Sequence, residues 1–152
     1  MSSLVLVDTS VLLNVLDVPG RNQHRDAILE QFKDLILSGD SLFLPMAAVV
    51  ETGNHIAQIK TSGQVRRDVA ERFVATVRAA LRDEAPWKPM SFPGDAQLLT
   101  WLDAFPEHAM RQIGMGDLSI IKAWEQLCGR FPMSEVRIWT VDGDLDGYAR
   151  HP

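Results

Sequence analysis

The chain has 152 residues and a mass of 17.0 kDa, enough for one domain with its own core and too little for two. With 46% hydrophobic and 23% charged residues its composition is globular, which excludes general disorder, collagen-like repeats and a coiled coil. The formal net charge of −5 excludes polyanion binding through bulk charge, so a nucleic-acid partner would need a local offset, for which a metal ion is the simplest source.

Leu4 to Val7 is a short apolar run that stops at Asp8, the signature of a buried strand. Thr9 and Ser10 follow with hydroxyls suited to a helix start, and the apolar stretch Val11 to Leu16 ends at Asp17-Val18-Pro19-Gly20. Asp26 to Leu37 carries Ile28, Leu29, Phe32, Leu35 and Ile36 at helical spacing. Leu42 to Leu44 predicts a second strand, and Met46 to Ile59 a helix with Val49, Val50, Ile56 and Ile59 inward. Gln64 to Glu84 is the clearest helix, with Val65, Val69, Phe73, Val77 and Leu81 at every fourth position. Pro86, Pro89 and Pro93 predict a loop with at most a short strand around Met90 to Phe92, and Trp87 in it is the one tryptophan placed for recognition.

Ala96 to Ala104 reads as a helix bounded by Pro106. Gly114 and Gly116 frame a turn, and Asp117 opens a helix with Ile120, Ile121, Trp124, Leu127 and Cys128 on one face. Arg137 to Val141 is the last expected strand, followed by Asp142-Gly143-Asp144. Alternating strands and helices predict a single α/β domain over residues 1–152, with helices on both faces of a mostly parallel sheet. Cys128 is the only cysteine, which leaves no disulfide framework and no cysteine-rich zinc site. The N-terminal residues lack a basic segment and reach Asp8 early, unlike a signal peptide, and no run of about 20 apolar residues is present; the expectation is a cytoplasmic protein without membrane contact.

The acids carry the chemical signal. Asp8 and Asp142 each follow a buried strand at its C-terminal end, the edge at which open parallel sheets bind ligands. Glu51 and Asp117 lie in helices that begin near such an edge. Four converging carboxylates repel one another unless a cation joins them, and an all-oxygen donor set suits Mg²⁺ or Mn²⁺ rather than zinc. Such a site can lower the pKa of a water and stabilise an in-line displacement at phosphorus. Thr9, Ser10 and Thr140 stand beside Asp8 and Asp142, where hydroxyls can orient a carboxylate. Asp142 to Gly147 copies the start of a calcium-binding loop, but a strand precedes it where that motif has a helix. His55 falls one helical turn after Glu51 and is read as solvent-facing. Arg67 with Glu71, and Asp68 with Arg72, are read as surface ion pairs.

Val-Asp-Thr-Ser-Val-Leu-Leu at 7–13, Val-Val-Glu at 49–51, Gly-Asp-Leu-Ser-Ile-Ile at 116–121 and Trp-Thr-Val-Asp-Gly-Asp at 139–144 together resemble the motif set of PIN-domain nucleases. The resemblance implies a three-layer α/β/α domain and a Mg²⁺- or Mn²⁺-dependent endoribonuclease. It aligns Asp8, Glu51, Asp117 and Asp142 with the four family acids, adds Asp144 as a further metal ligand, and gives Thr140 the family's hydroxyl position. It also implies RNA as substrate and, for bacterial members of this size, a toxin paired with a small antitoxin. The alternative is a catalytically weak or inactive PIN-fold domain that binds RNA as an adaptor. The apolar residues of the first two helices (Val11, Leu12, Leu13, Val15, Leu16, Ile28, Leu29 and Phe32) exceed what a small sheet needs to cover, which suggests a homodimer interface there.

Overall fold

The computed structural model describes residues 2–152. In chain order the elements are β1 (Leu4–Val7), α1 (Thr9–Val15), α2 (Arg25–Leu37), β2 (Ser41–Pro45), α3 (Met46–Ala57), α4 (Gly63–Leu81), β3 (Trp87–Met90), α5 (Asp95–Met110), α6 (Met115–Arg130), β4 (Val136–Trp139) and β5 (Ala149–Arg150). The five strands form one sheet in the order β3-β2-β1-β4-β5. Every pairing is parallel except β4 with β5. This is an α/β domain, consistent with three α/β/α layers.

The strand order places the site. From β1 the chain steps outward to β2 and β3, then returns to lay β4 on the opposite side of β1. The order therefore reverses between β1 and β4, which opens a crevice at their C-terminal ends. Asp8 leaves β1 there, and Thr140 leaves β4 beside it, in a register that pairs Val7 with Trp139.

Alternation along the strands divides the core. Val5 and Val7 of β1, with Leu42 and Leu44 of β2, face one layer with Leu12, Leu16, Ile28, Ile56 and Val69. Leu6 of β1, with Val136 and Ile138 of β4, faces the other, where α6 supplies Ile120, Ile121 and Leu127. At about 25 cal/mol per Å², each fully buried Leu or Ile contributes roughly 1.5–3 kcal/mol, so both layers stabilise β1 from opposite faces.

Several expectations change. The third strand is Trp87–Met90, earlier than Met90 to Phe92. Pro89 is tolerated because β3 is an edge strand paired only with β2, and one side of it needs no N–H donor. Trp87 is not a recognition residue: it is 4% exposed, with its ring centroid 4.7 Å from that of Phe32. Helix α5 continues through Pro106 to Met110. The carbonyl four residues back, at Leu102, loses its helical donor, and both residues are on the exposed side where water can replace it. Strand β4 ends at Trp139, because the next N–H groups turn to side chains: Val141 N–H donates to Ser10 Oγ at 3.1 Å and Asp142 N–H to Thr140 Oγ1 at 2.8 Å.

Strand β5 has no counterpart among the expected elements; Arg150 fixes it by donating to the carbonyls of Cys128, Phe131 and Ser134. Arg67 pairs with Glu71 as expected, at 3.2 Å. Arg72 instead caps α1 by donating to the Leu16 carbonyl at 3.0 Å, and Asp68 accepts from Gln64. The eight apolar residues expected to form a surplus face on α1 and α2 do not form one: Val11, Leu12, Leu13, Leu16 and Ile28 are buried, and Val15, Leu29 and Phe32 are half-buried. Exposed large apolar side chains lie at other positions: at the C-terminal end of α2 at Ile36 and Leu37, on α4 at Val74 and Leu81, and on α5 at Leu98, Leu99, Leu102 and Met110. Among the described residues no helix is long and apolar enough to cross a membrane.

Candidate functional site

Asp8 is the fixed point of the rim. It is 3% exposed and caps α1 through its backbone carbonyl, which accepts from the N–H groups of Val11 and Leu12. Its side chain takes no part in that cap. Instead Oδ2 accepts from Ser10 Oγ and from Thr140 Oγ1, both at 2.8 Å. Each hydroxyl in turn accepts a backbone N–H, from Val141 and Asp142 respectively. Both protons are thereby committed to Asp8, so the 3.2 Å approach of Ser10 Oγ to Thr140 Oγ1 is a close contact of two donors that share one acceptor. This relay is the physical reason for the spacings Asp-x-Ser and Thr-x-Asp: one carboxylate oxygen is clamped by a hydroxyl from the first turn of α1 and by one from the residue after β4. Burial raises the Asp8 pKa, and the two hydroxyls oppose that rise.

Asp117 enters from the first turn of α6, whose N-cap is Gly114. It comes together with Asp142 and Asp144: one carboxylate oxygen of each lies within 4.8 Å of the others. Asp142 Oδ1 accepts the Asp144 N–H at 2.9 Å, which folds the acidic turn back on itself. Burial, and then the charges of Asp142, Asp8 and Glu51, push the Asp117 carboxyl up to about 7. At neutral pH the Asp117 carboxyl is therefore partly protonated.

Glu51 is brought to the same rim by α3, which starts directly from β2. Its pKa is raised by burial first and by the charge of Asp8 next; the Thr9 hydroxyl opposes this, and Asp142 adds to it. Thr9 Oγ1 is close enough to act on Glu51, yet it is buried without a hydrogen bond of acceptable geometry. Of the five expected acids, Asp117, Asp142 and Asp144 bring their carboxylates together, and Asp8, with Ser10 and Thr140 on its carboxylate, and Glu51, with Thr9 beside it, lie close enough to act on Asp117 by charge. The tightest trio includes Asp144 and leaves out Asp8 and Glu51.

Two features are not legible in the sequence. Gly116, a turn residue by its pattern, lies in α6 against the Glu51 carboxylate. A Cβ at 116 would collide with Glu51 Oε2 and stand 2.9 Å from Cδ. A glycine one residue before an acid, at the head of a helix, is the only available signal. His55 is not fully solvent-facing: Nε2 lies 4.0 Å from Glu51 Oε1, and its side chain is 23% exposed. Burial and then the charge of Arg21 lower its pKa, so His55 is neutral near pH 7 and the contact is no ion pair.

The donor set fits a hard divalent cation. It consists of carboxylate oxygens, and no Lys or Arg pairs with Asp8, Glu51, Asp117, Asp142 or Asp144 among the described residues. Burial and then the accumulated charge raise the carboxyl pKa of Glu51 as well as that of Asp117, and the proton that Asp117 holds near neutral pH is one a cation would displace. No protein-family model matches this chain, and no curated protein matches it either.

Proposed function

We propose that the protein is a Mg²⁺- or Mn²⁺-dependent endoribonuclease of the PIN-domain type. The observation that carries this reading is the uncompensated carboxylate cluster at the β1/β4 crevice, where burial and like charge hold a proton on Asp117 near neutral pH. Asp117, Asp142 and Asp144 are the ligands nearest one another, and Asp8 and Glu51 complete the negative cradle. A divalent cation held there would supply positive charge for the phosphate and would lower the pKa of a water for attack at phosphorus. Ser10 and Thr140 keep the Asp8 carboxylate in one orientation, so its position is set before substrate arrives. Gly116 leaves room for the Glu51 carboxylate to enter the rim. Asp117 would have to give up its proton to hold a cation, which would tie affinity to pH.

A site at an open sheet edge accepts an accessible phosphodiester, so single-stranded or loop RNA is the proposed substrate. The motif resemblance extends the proposal to a cytoplasmic toxin held by a small antitoxin. Homodimer or antitoxin contact, expected over the first two helices, is proposed instead for the exposed apolar side chains of α4 and α5. Sedimentation equilibrium at micromolar concentration tests the dimer, and a 17.0 kDa species at all concentrations removes it.

The activity is tested on a fluorescently labelled single-stranded RNA with Mn²⁺ or with chelator. Internal cleavage that needs the metal and disappears in Asp8→Asn supports the reading. RNA binding without cleavage by the folded, metal-loaded protein refutes it in favour of an adaptor.

A further inference from the structure

Beside the acidic rim the surface changes sign. A cavity of about 450 Å³ lies where the loop after α1 meets the C-terminal end of α3 and the segment that follows it. Arg21, His55, Gln58, Lys60 and Thr61 contribute to its wall, and no carboxylate does. The two cations are uncommitted: neither Arg21 nor Lys60 forms an ion pair among the described residues. Other bases are engaged, Arg25 with Asp17, Arg67 with Glu71, Lys122 with Glu125, and Arg72 and Arg150 with backbone carbonyls. Lys33, Arg78, Arg82 and Arg137 are unpaired too among the described residues, and what distinguishes Arg21 and Lys60 is that they share one concavity without a carboxylate in its wall. In a chain of net charge −5, two unpaired cations around one concavity need a reason.

The cavity is continuous with the carboxylate site through one residue. His55 belongs to its wall and also stands 4.0 Å from Glu51 Oε1. Glu51 and His55 are four residues apart on α3, about 6 Å along the helix axis. That is the scale on which successive phosphates follow one another along an extended strand. Arg21 is held over this end of α3 by a sharp turn, in which Gly20 has φ +83° and the Arg21 N–H donates to the Val18 carbonyl at 2.9 Å.

We propose that this cavity binds a backbone phosphate of single-stranded RNA flanking the bond to be cleaved, with Arg21 and Lys60 as its charged partners and Gln58 and Thr61 as neutral donors. The inference rests on the nuclease reading of the acidic rim and names where its substrate is held. Phosphate contacts of this kind fix the position and register of a strand without reading sequence. A guanidinium offers two parallel donors to phosphate oxygens, and an ammonium adds a compact charge. The arrangement also answers the electrostatic problem set by the composition. Attraction is supplied next to the rim, within a Debye length of about 8–10 Å, where it is felt by a strand that the carboxylates alone would repel.

The test compares the full chain with an Arg21→Ala/Lys60→Ala double variant. Both residues are exposed, so the fold is not at stake. Binding of a labelled single-stranded RNA is followed by fluorescence anisotropy in Mn²⁺ over a salt series, with cleavage kinetics measured in parallel. The double variant should bind at least tenfold more weakly. The slope of log affinity against log salt should fall by about 0.7 for the lost phosphate contact. KM should rise with kcat within about twofold, since the contact is equal in ground and transition states. Lys60→Arg with Arg21 intact should bind like the wild type, because it keeps the charge that Lys60→Ala removes. Stabilisation of the double variant by Mn²⁺ should match that of the wild type, which separates failure of the phosphate cavity from failure of the metal site. Unchanged RNA affinity and salt slope overturn the proposal. So does a variant that keeps RNA affinity but loses binding of a poly-glutamate peptide, a result that assigns the cavity to an acidic protein partner.

Discussion

Replacing Asp117 by asparagine should stabilise the metal-free protein and destabilise the metal-loaded one. The folded state raises the Asp117 pKa from 3.8 to about 7. A raised carboxyl contributes stability that is complete below the unfolded value and lost as pH rises through the folded one. Wild-type stability in chelator should therefore decline between about pH 4 and pH 7, relative to the variant. The full shift is equivalent to about 4 kcal/mol. Asp117 is only half-buried, so solvent screening reduces the realised effect to about 1–2 kcal/mol. For a chain of this size that is about 2–8 °C in melting temperature. The asparagine side chain is a close isostere, and its amide can still donate to Asp142. With Mn²⁺ at a hundred times its dissociation constant, the wild type gains about 2.7 kcal/mol, and the variant, short of one ligand, gains less. The order of the two melting curves should reverse between chelator and Mn²⁺ at pH 7.5, and the chelator difference should vanish near pH 4. A variant less stable than the wild type in chelator at pH 7.5, or one that gains as much from Mn²⁺, refutes the electrostatic account.

Asp8→Asn should fold, because a single amide oxygen can accept both hydroxyls that Oδ2 accepts, yet it should lose most of the Mn²⁺-induced rise in melting temperature. Gly116→Ala should also fold, since the obstructing group is the end of a flexible side chain; displacement of Glu51 should weaken metal binding about 10–100-fold by calorimetry. Trp87→Ala should cost about 3–5 kcal/mol in urea unfolding while leaving metal affinity unchanged, the result for a core residue and not for a recognition residue.

The acids are legible because the elements that carry them are. Asp8 interrupts an apolar strand and Asp142 follows one at a two-residue interval, and both patterns survive without knowledge of the partners. Glu51 and Asp117 depend on helix starts, which periodicity locates to within a few residues. What periodicity cannot supply is the effect of one element on another. Trp87-Lys88-Pro89-Met90 has a loop-like composition and becomes a strand only because β2 offers an edge on which proline is harmless. Strand β5 has two residues, too few for any pattern. Arg72 has a suitable acid four residues away and takes the free carbonyl at the end of α1 instead, a choice set by tertiary approach. Arg21 and Lys60 are isolated bases in connecting segments, 39 positions apart, and no spacing rule joins them before the chain is folded.

Calorimetric titration of the metal-free protein with Mn²⁺ at pH 7, repeated in two buffers of different ionisation enthalpy, reaches the central claim most directly. The account predicts binding accompanied by release of about half a proton, from an Asp117 carboxyl that titrates near 7, and loss of that release in Asp117→Asn. Absence of Mn²⁺ binding, or binding with the same proton release in Asp117→Asn, would contradict it.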